Sequence, residues 1–359
     1  MGKWQWKKFN MFKNIFKKFS TEIGIDLGTA NTLVYIKEKG IVIDEPSVVA
    51  INTRTEQILA VGNEAKYMLG KTPPHIEVTR PLNHGIISDY EVTEKMLKYF
   101  IDKINEDRFA LVSRPRVVVC VPLEVTEVEM KAVEDATISA GAKEVFIVQE
   151  PMAAAIGARM PIQDPVGNMI VDIGGGNTEV AVISLSGVVT WKSTKMAGDE
   201  MNKSIMQYAK EVFSLFIGES HAESIKIKIG SATDSGERIE FPMRGRDVMT
   251  GLPREVMVND GHIREALTRS IEIIVDLIKT TLEVTPPELT ADIHERGLLL
   301  TGGGALLKGI DKIISEAADI PVRIADDPLT SVVRGTGILL EDEALLKEVA
   351  LPSARDSKR

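Results

Sequence analysis

Two short segments of this chain repeat one order of residue types that suits phosphate binding. Residues 26–32 and 172–178 both read Asp, Leu or Ile, Gly, two small residues, Asn, Thr. Small residues at such a turn let backbone N–H groups approach an anion closely. Either copy alone also fits a tight hairpin, whereas the repetition favours two loops that clamp a polyphosphate. The predicted phosphate ligands are Gly28, Thr29, Ala30 and Asn31 in loop 1, and Gly174, Gly175, Gly176, Asn177 and Thr178 in loop 2.

An aspartate precedes each loop at the end of an apolar run. Asp26 follows residues 23–25, and Asp172 lies within the run 170–173. Mg²⁺ prefers oxygen ligands and keeps much of its water shell. We therefore predict that the two aspartates bind a phosphate-bound Mg²⁺ through water, with ATP as the nucleotide.

A third glycine cluster follows the apolar run 298–301. Gly302, Gly303, Gly304 and Ala305 stand where a strand leads into a helix, so the backbone there can admit a nucleoside or face a phosphate. A loop that needs positive φ would explain the same glycines. Beside two phosphate loops, the cluster predicts the adenosine side of the site.

Glu150 follows the apolar run 145–148 and precedes Pro151, which suits the first turn of a helix. Its carboxylate could cap that helix, or it could orient a water molecule for attack on a γ-phosphate. Both roles stay open at this stage.

The elements that must position these residues follow an α/β pattern. Apolar β-branched runs predict strands at 23–25, 34–36, 117–121, 170–173, 180–183 and 298–301. Helical spacing predicts helices over 92–105, 127–140, 151–160, 201–216, 261–282 and 306–318. The opening strands follow one another so closely that they predict a β-meander. A chain of 359 residues exceeds one ordinary domain, and segment 160–168, with its prolines and glycine, is the predicted boundary.

Composition excludes several classes of function. The net charge is −9 although the first 21 residues carry six lysines and no acid, so the remaining chain is strongly acidic and a poor partner for nucleic acid. The single Cys120 suits core packing in a reducing compartment. No apolar stretch reaches the ~18 residues of a transmembrane helix, which predicts a cytosolic body. The histidines lack metal spacing, and residues 65–72 lack the first glycine of a Walker A motif.

The amino-terminal segment mixes aromatic residues with lysines. On a helical wheel most apolar residues share one arc, as in a helix that lies in an anionic membrane interface. A disordered basic tail and a helix that docks on a protein are the alternatives. The apolar patch 109–112 could insert into the same surface or begin the next strand. The predicted membrane contacts are Trp4, Trp6, Phe9, Phe12, Phe16, Phe19, Phe109 and Leu111.

The paired loops, the Glu150-Pro151 step, the third glycine loop and the late segment 335–337 together resemble the superfamily of actin, sugar kinases and heat-shock chaperone ATPases. Within it, the chain is similar to the MreB family of bacterial actins over about residues 22–346, through motifs at 23–32, 44–48, 150–157, 197–201, 251–254 and 285–289.

The resemblance implies an α/β fold of two duplicated actin-like (ribonuclease H-like) domains. Each would be a mixed five-stranded sheet with helices, and the nucleotide would lie in the cleft between them. It also implies ATP-dependent filaments on the cytoplasmic face of the inner membrane. These filaments would organise cell-wall elongation and rod shape with membrane proteins of that machinery.

Individual roles also follow from the resemblance. Loops 1 and 2 would hold phosphates, Asp26 and Asp172 the Mg²⁺ shell, and residues 302–305 the nucleoside. Glu223 and Lys226 would contact adenine and ribose, although a Glu-x-x-Lys step is also typical of a solvated ion pair.

The remaining implied roles concern hydrolysis. Glu150 matches the glutamate that positions the attacking water. Asn177 departs from the family pattern, because most MreB sequences have a threonine there whose hydroxyl helps to orient the water. An amide can still donate and accept hydrogen bonds, so we expect slow or altered hydrolysis.

The implied organisation is a basic leader at 1–20, a first domain at 21–162 with a small subdomain near 52–95, a second domain at 163–345 with a small subdomain near 200–260, and a polar tail at 346–359. A small-molecule kinase of the same superfamily is the main alternative, but it needs a dedicated general base beyond Glu150. A chaperone would need a further peptide-binding module.

Overall fold

The computed structural model describes residues 21–106, 114–234, 236 and 238–352. The predicted membrane contacts in the leader, together with Phe109 and Leu111, lie outside these residues. The elements of the first half are β1 (Glu22–Leu27), β2 (Asn31–Ile36), β3 (Gly40–Pro46), β4 (Val49–Asn52), β5 (Ile58–Val61), α1 (Asn63–Met68), β6 (Ile76–Thr79), β7 (Leu82–Asn83), β8 (Ile86–Ile87), α2 (Tyr90–Glu106), β9 (Arg116–Val121), α3 (Glu127–Ser139), β10 (Glu144–Gln149) and α4 (Glu150–Gly157).

The second half repeats this plan. Its elements are β11 (Asn168–Ile173), β12 (Thr178–Ser184), β13 (Gly187–Thr194), α5 (Gly198–Phe213), β14 (Leu215–Phe216), α6 (Glu219–Ile229), β15 (Glu240–Asp247), β16 (Pro253–Asn259), α7 (Asp260–Val284), α8 (Pro287–Arg296), β17 (Leu298–Thr301), a 3₁₀ turn (Gly303–Leu306), α9 (Ile310–Ala318), β18 (Val322–Ile324), α10 (Ser331–Glu341) and α11 (Glu343–Val349).

Each half is built on a mixed five-stranded sheet, with strand order β10-β9-β1-β2-β3 in the first and β13-β12-β11-β17-β18 in the second. The first three strands of each half form an antiparallel meander, and the two later strands run parallel to the first. The predicted duplicated α/β fold and opening meander are therefore confirmed. Loops 1 and 2 connect equivalent strands, β1 to β2 and β11 to β12.

Smaller sheets extend both halves. Strands β5-β4-β6 form a three-stranded sheet next to α1, and β14-β15-β16 form another next to α6. Strands β7 and β8 make a short hairpin whose turn residues, His84 and Gly85, both have positive φ.

Several predicted helix boundaries were wrong. The helix predicted over 151–160 ends at Gly157. The helix predicted over 201–216 begins earlier, at Gly198, and ends at Phe213, because Ser214 adopts a left-handed conformation and the chain then enters β14. The helix predicted over 306–318 is two elements, because Gly309 has a φ of 77° and separates the 3₁₀ turn from α9. Left-handed residues interrupt a right-handed helix, and apolar spacing does not reveal them.

A close helix pair joins the two sheets. Helices α4 and α10 pack so tightly that a Cβ atom at Gly335 would lie 1.8 Å from the Ala153 carbonyl oxygen. Their apolar residues form one core with side chains of both sheets, including Val118 and Ile170. Cys120 belongs to this core, and burial raises the pKa of its thiol, as expected for a packing residue. No helix in the described ranges is long and apolar enough to span a bilayer.

Candidate functional site

Loop 1 turns its carbonyl groups toward the protein. The Ser47 hydroxyl donates to the Gly28 carbonyl at 2.5 Å, and the Ser47 N–H donates to the Ala30 carbonyl at 3.0 Å. Among the described residues, the N–H groups of Thr29 and Ala30 have no hydrogen-bond acceptor. Buried or cleft-facing N–H groups need a partner, so this loop is suited to an anion.

Loop 2 has the same arrangement through different residues. The N–H groups at the start of α5 donate to its carbonyls, Gly198 to Gly174 at 3.1 Å and Asp199 to Gly175 at 2.8 Å. Within the described ranges, the N–H groups of Gly175 and Gly176 again have no acceptor. Two structurally equivalent loops thus each leave two successive N–H donors unpaired.

The two loops face each other at contact distance. A Cβ atom at Gly175 would lie 2.6 Å from the Ala30 Cβ, and one at Gly176 would lie 2.4 Å from the Thr29 hydroxyl. The glycines of loop 2 are therefore required by the approach of loop 1. The predicted pairing of the loops across a cleft agrees with this geometry.

Sequence reasoning missed the β7–β8 turn, which links the loops. The Gly85 N–H donates to the Thr29 hydroxyl at 2.6 Å, and His84 Nδ1 lies 2.7 Å from the Gly176 carbonyl oxygen. An isolated histidine carries no spacing signal, and His84 reaches the site only because the hairpin folds over loop 1.

Asp26 and Asp172 lie near the ends of the equivalent strands β1 and β11, just before loops 1 and 2. Burial, followed by the charges of Asp172 and Asp44, raises the pKa of Asp26 to about 8. Burial raises the pKa of Asp172 to about 6. The described residues include no cluster of three or more acidic, histidine or cysteine side chains that could enclose a metal. Buried carboxylates with raised pKa values are stabilised by a nearby cation.

Glu150 is the first residue of α4 and is only 7% exposed. The N-cap residue of the helix is Gln149, and its side chain makes no capping hydrogen bond. Burial and then the charge of Glu179 raise the pKa of Glu150, whereas a hydrogen bond from the Asn177 side chain lowers it. The structure thus brings Glu150 and Asn177 together from different halves.

The third glycine loop lies against the second aspartate. Gly302 has a φ of 79°, and a Cβ atom there would lie 2.3 Å from Asp172 Oδ1. A Cβ atom at Gly304 would likewise lie 2.1 Å from Ile173 Cγ2. Ala305 is fully buried in the core of the second half, which anchors this loop.

Three other predicted site residues have protein partners. Thr178 is buried, and its hydroxyl donates to the Met196 carbonyl at 2.7 Å. Glu223 forms a salt bridge of 2.9 Å with Lys66, which belongs to the first half. Lys226 donates to the Gly198 carbonyl at 2.6 Å, and burial lowers its pKa to about 8.

The fold and the paired loops define an actin-like protein with an anion-binding cleft between duplicated halves. The family model described as MreB/Mbl protein matches residues 20–348. The cell shape-determining protein Mbl of Bacillus cereus is 50% identical over 333 residues, which cover 93% of this chain and 99% of that protein.

Solved structures agree with this likeness. The crystal structure of MreB 5 of Spiroplasma citri bound to AMPPNP superposes with a TM-score of 0.87 at 36% identity and covers 92% of this chain and 98% of that one. A MamK double helical filament has a TM-score of 0.76, covers 90% of this chain and 99% of that one, and at 22% identity shows the fold alone.

The chain belongs to the MreB/Mbl family. It is a bacterial actin-like cytoskeletal protein, and the comparisons do not favour the alternative of a small-molecule kinase.

Proposed function

We propose that this chain binds ATP between loops 1 and 2. The observation that carries the proposal is a pair of N–H groups on each loop, Thr29 and Ala30 opposite Gly175 and Gly176, that have no acceptor in the part of the chain that the structure describes. Successive N–H groups in such turns form anion-binding concavities. The AMPPNP bound to the Spiroplasma relative supports the same ligand class. The glycines of the third loop then take the nucleoside, with Glu223 and Lys226 toward adenine and ribose.

Asp26 and Asp172 suit Mg²⁺ held through water. Burial raises the pKa values of both carboxylates, and the charge of Asp172 adds to the rise at Asp26. A divalent ion would offset both effects. When bound, Mg²⁺ neutralises phosphate charge. The aspartates then orient its water shell from the ends of β1 and β11.

Slow hydrolysis is the reaction that the site supports. Glu150 accepts a hydrogen bond from the attacking water and takes its proton as the water oxygen bonds to the γ-phosphorus. The bond from the γ-phosphorus to the bridging oxygen breaks, and ADP and phosphate are the products. Asn177 replaces a hydroxyl beside this water, which is why we propose a low rate.

Self-association into filaments on an anionic membrane is the proposed role of the nucleotide-bound protein. The filament state of MamK and the cell-shape role in the name of the Bacillus relative support it. The lysine-aromatic leader supplies membrane contacts, so the filaments are peripheral on the cytoplasmic face. There they organise cell-wall elongation with membrane proteins of that machinery.

Electron microscopy with ATP, Mg²⁺ and vesicles tests this proposal. We expect filaments on vesicles that contain anionic lipid and none on neutral vesicles. Deletion of residues 1–20 is expected to release the filaments from the vesicles while ATP still binds. Monomers under every nucleotide condition contradict the filament proposal, and unchanged vesicle binding after the deletion contradicts the role of the leader.

A further inference from the structure

Glu179 is a buried acid to which the sequence patterns gave no role. It is the second residue of β12, is 1% exposed and pairs in register with Asp172. Its Oε1 accepts a hydrogen bond of 2.7 Å from the Leu123 N–H. Its Oε2 is buried and has no hydrogen-bond partner in the part of the chain that the structure describes.

Strand geometry places Glu179 beside Glu150. Alternate residues of a strand point to the same face, so Asn177, just before β12, and Glu179 share a face, while Thr178 points to the other and bonds to Met196. From that face, Asn177 reaches Glu150 and Glu179 reaches Leu123.

Both targets lie at one edge of the first sheet. Strands β9 and β10 are parallel neighbours, with Val121 in register with Gln149. Leu123 follows β9 by two residues, and Glu150 follows β10 directly. Adjacent strands lie about 4.8 Å apart, so the two cross-cleft contacts are side by side and bring the Glu179 and Glu150 carboxylates into one polar region.

A structural link alone does not account for a carboxylate at this position. A single backbone N–H satisfies one of its two oxygens, and a buried carboxylate is costly unless it is paired. The acids that interact with Glu179 include Asp172, Glu124 and Glu150, and all of them carry the same sign. The second oxygen therefore points to a hydrogen-bond donor that enters the cleft.

We propose that Glu179 is a positioning residue for the hydrolytic water. Its Oε1 holds the Leu123 loop, and its Oε2 accepts a hydrogen bond from the water that Glu150 orients. The inference rests on the proposed ATP hydrolysis. It also gives that water a second acceptor beside Glu150.

Single-turnover phosphate release from ATP by the full-length protein tests this role. Glu179→Gln keeps the size of the side chain and an oxygen for Leu123 but places an N–H donor where Oε2 stands. We expect Glu179→Gln and Glu179→Ala each to slow phosphate release by roughly tenfold to a hundredfold, with the Kd for ATP changed less than about twofold.

Glu127→Gln is the matched control, because Glu127 is an exposed acid at the start of α3, four residues after Leu123; its rate is expected to equal that of the unmodified chain. A normal rate in Glu179→Gln overturns the inference and leaves a structural link only. Lost ATP binding in Glu179→Gln overturns it as well. If the unmodified chain releases no phosphate, the proposed hydrolysis itself is contradicted. If the unmodified chain is active and Glu179→Gln is equally active, only the role of Glu179 is contradicted.

Discussion

Lys66 Nζ lies 2.9 Å from Glu223 Oε2 and joins helix α1 of the first half to helix α6 of the second. Arg80 adds a parallel link, at 2.8 Å to Glu219 and 3.3 Å to Asp199. These ion pairs connect the first half of the molecule to the second. The two halves therefore meet through close glycine contacts at the loops and through ion pairs that involve Lys66 and Arg80.

Removal of Lys66 is expected to speed nucleotide release. Both side chains of its salt bridge are about one-third exposed, 35% for Lys66 and 28% for Glu223, and such pairs contribute up to about 1 kcal/mol. We expect Lys66→Ala to raise the dissociation rate of a fluorescent ATP by at most about fivefold, with a smaller effect at high salt. Lys71→Ala is the control, since Lys71 contacts Tyr67 of its own half. Equal dissociation rates in Lys66→Ala and Lys71→Ala contradict a role of the Lys66–Glu223 salt bridge in retaining the nucleotide.

Addition of one methyl group to loop 2 is expected to prevent closure on phosphate. In Gly176→Ala the new Cβ would lie 2.4 Å from the Thr29 hydroxyl. Overpacking of this kind costs roughly 1–3 kcal/mol, so the Kd for ATP measured by calorimetry is expected to rise by about tenfold or more. A Cβ at Gly218 has no atom within 4 Å, and Gly218→Ala is expected to bind normally. Tight binding by Gly176→Ala shows that the loops need not meet.

Replacement of Asn177 tests the altered hydrolysis directly. Asn177→Thr introduces a hydroxyl beside Glu150, and we expect faster phosphate release with unchanged ATP affinity. A coupled phosphate assay measures the rate. Glu150→Ala in the same assay is expected to abolish release while ATP stays bound. An unchanged rate in Asn177→Thr means that the amide is no handicap.

The cation-free protein is expected to lose stability as pH rises. The pKa of Asp26 is raised from 3.8 to about 8, so the folded state binds this proton more tightly than the unfolded state does. The free energy of unfolding therefore falls between about pH 4 and pH 8. Urea unfolding at several pH values measures the slope, which Asp26→Asn should reduce and Mg²⁺ with ATP should oppose.

Asp247 provides a control of opposite sign. Backbone and side-chain hydrogen bonds from Thr250, with Arg254, lower its pKa to about 2. Its contribution is complete above about pH 4 and is lost as pH falls toward 2. Asp247→Asn should leave the slope between pH 5 and pH 8 unchanged. A cation-free protein whose stability is flat or rises over that range contradicts the proposed effect of Asp26.

Patterns along the chain predicted the parts of this protein that are built locally. The Asp-led glycine loops, the opening meander of the first half and the glycine-rich turn after residues 298–301 all depend on near neighbours in sequence. Helix boundaries were less predictable where a left-handed residue such as Ser214 or Gly309 interrupts an apolar pattern.

The sequence by itself determined that two equivalent loops suit phosphate, because residue type and φ preference act over a few positions. Only the tertiary structure decided which partners complete the site. His84 meets Gly176, Glu179 meets Leu123, and Lys66 meets Glu223. Each pair joins the two halves of the molecule, so its contact depends on how the halves close around α4 and α10, and no local pattern encodes that packing.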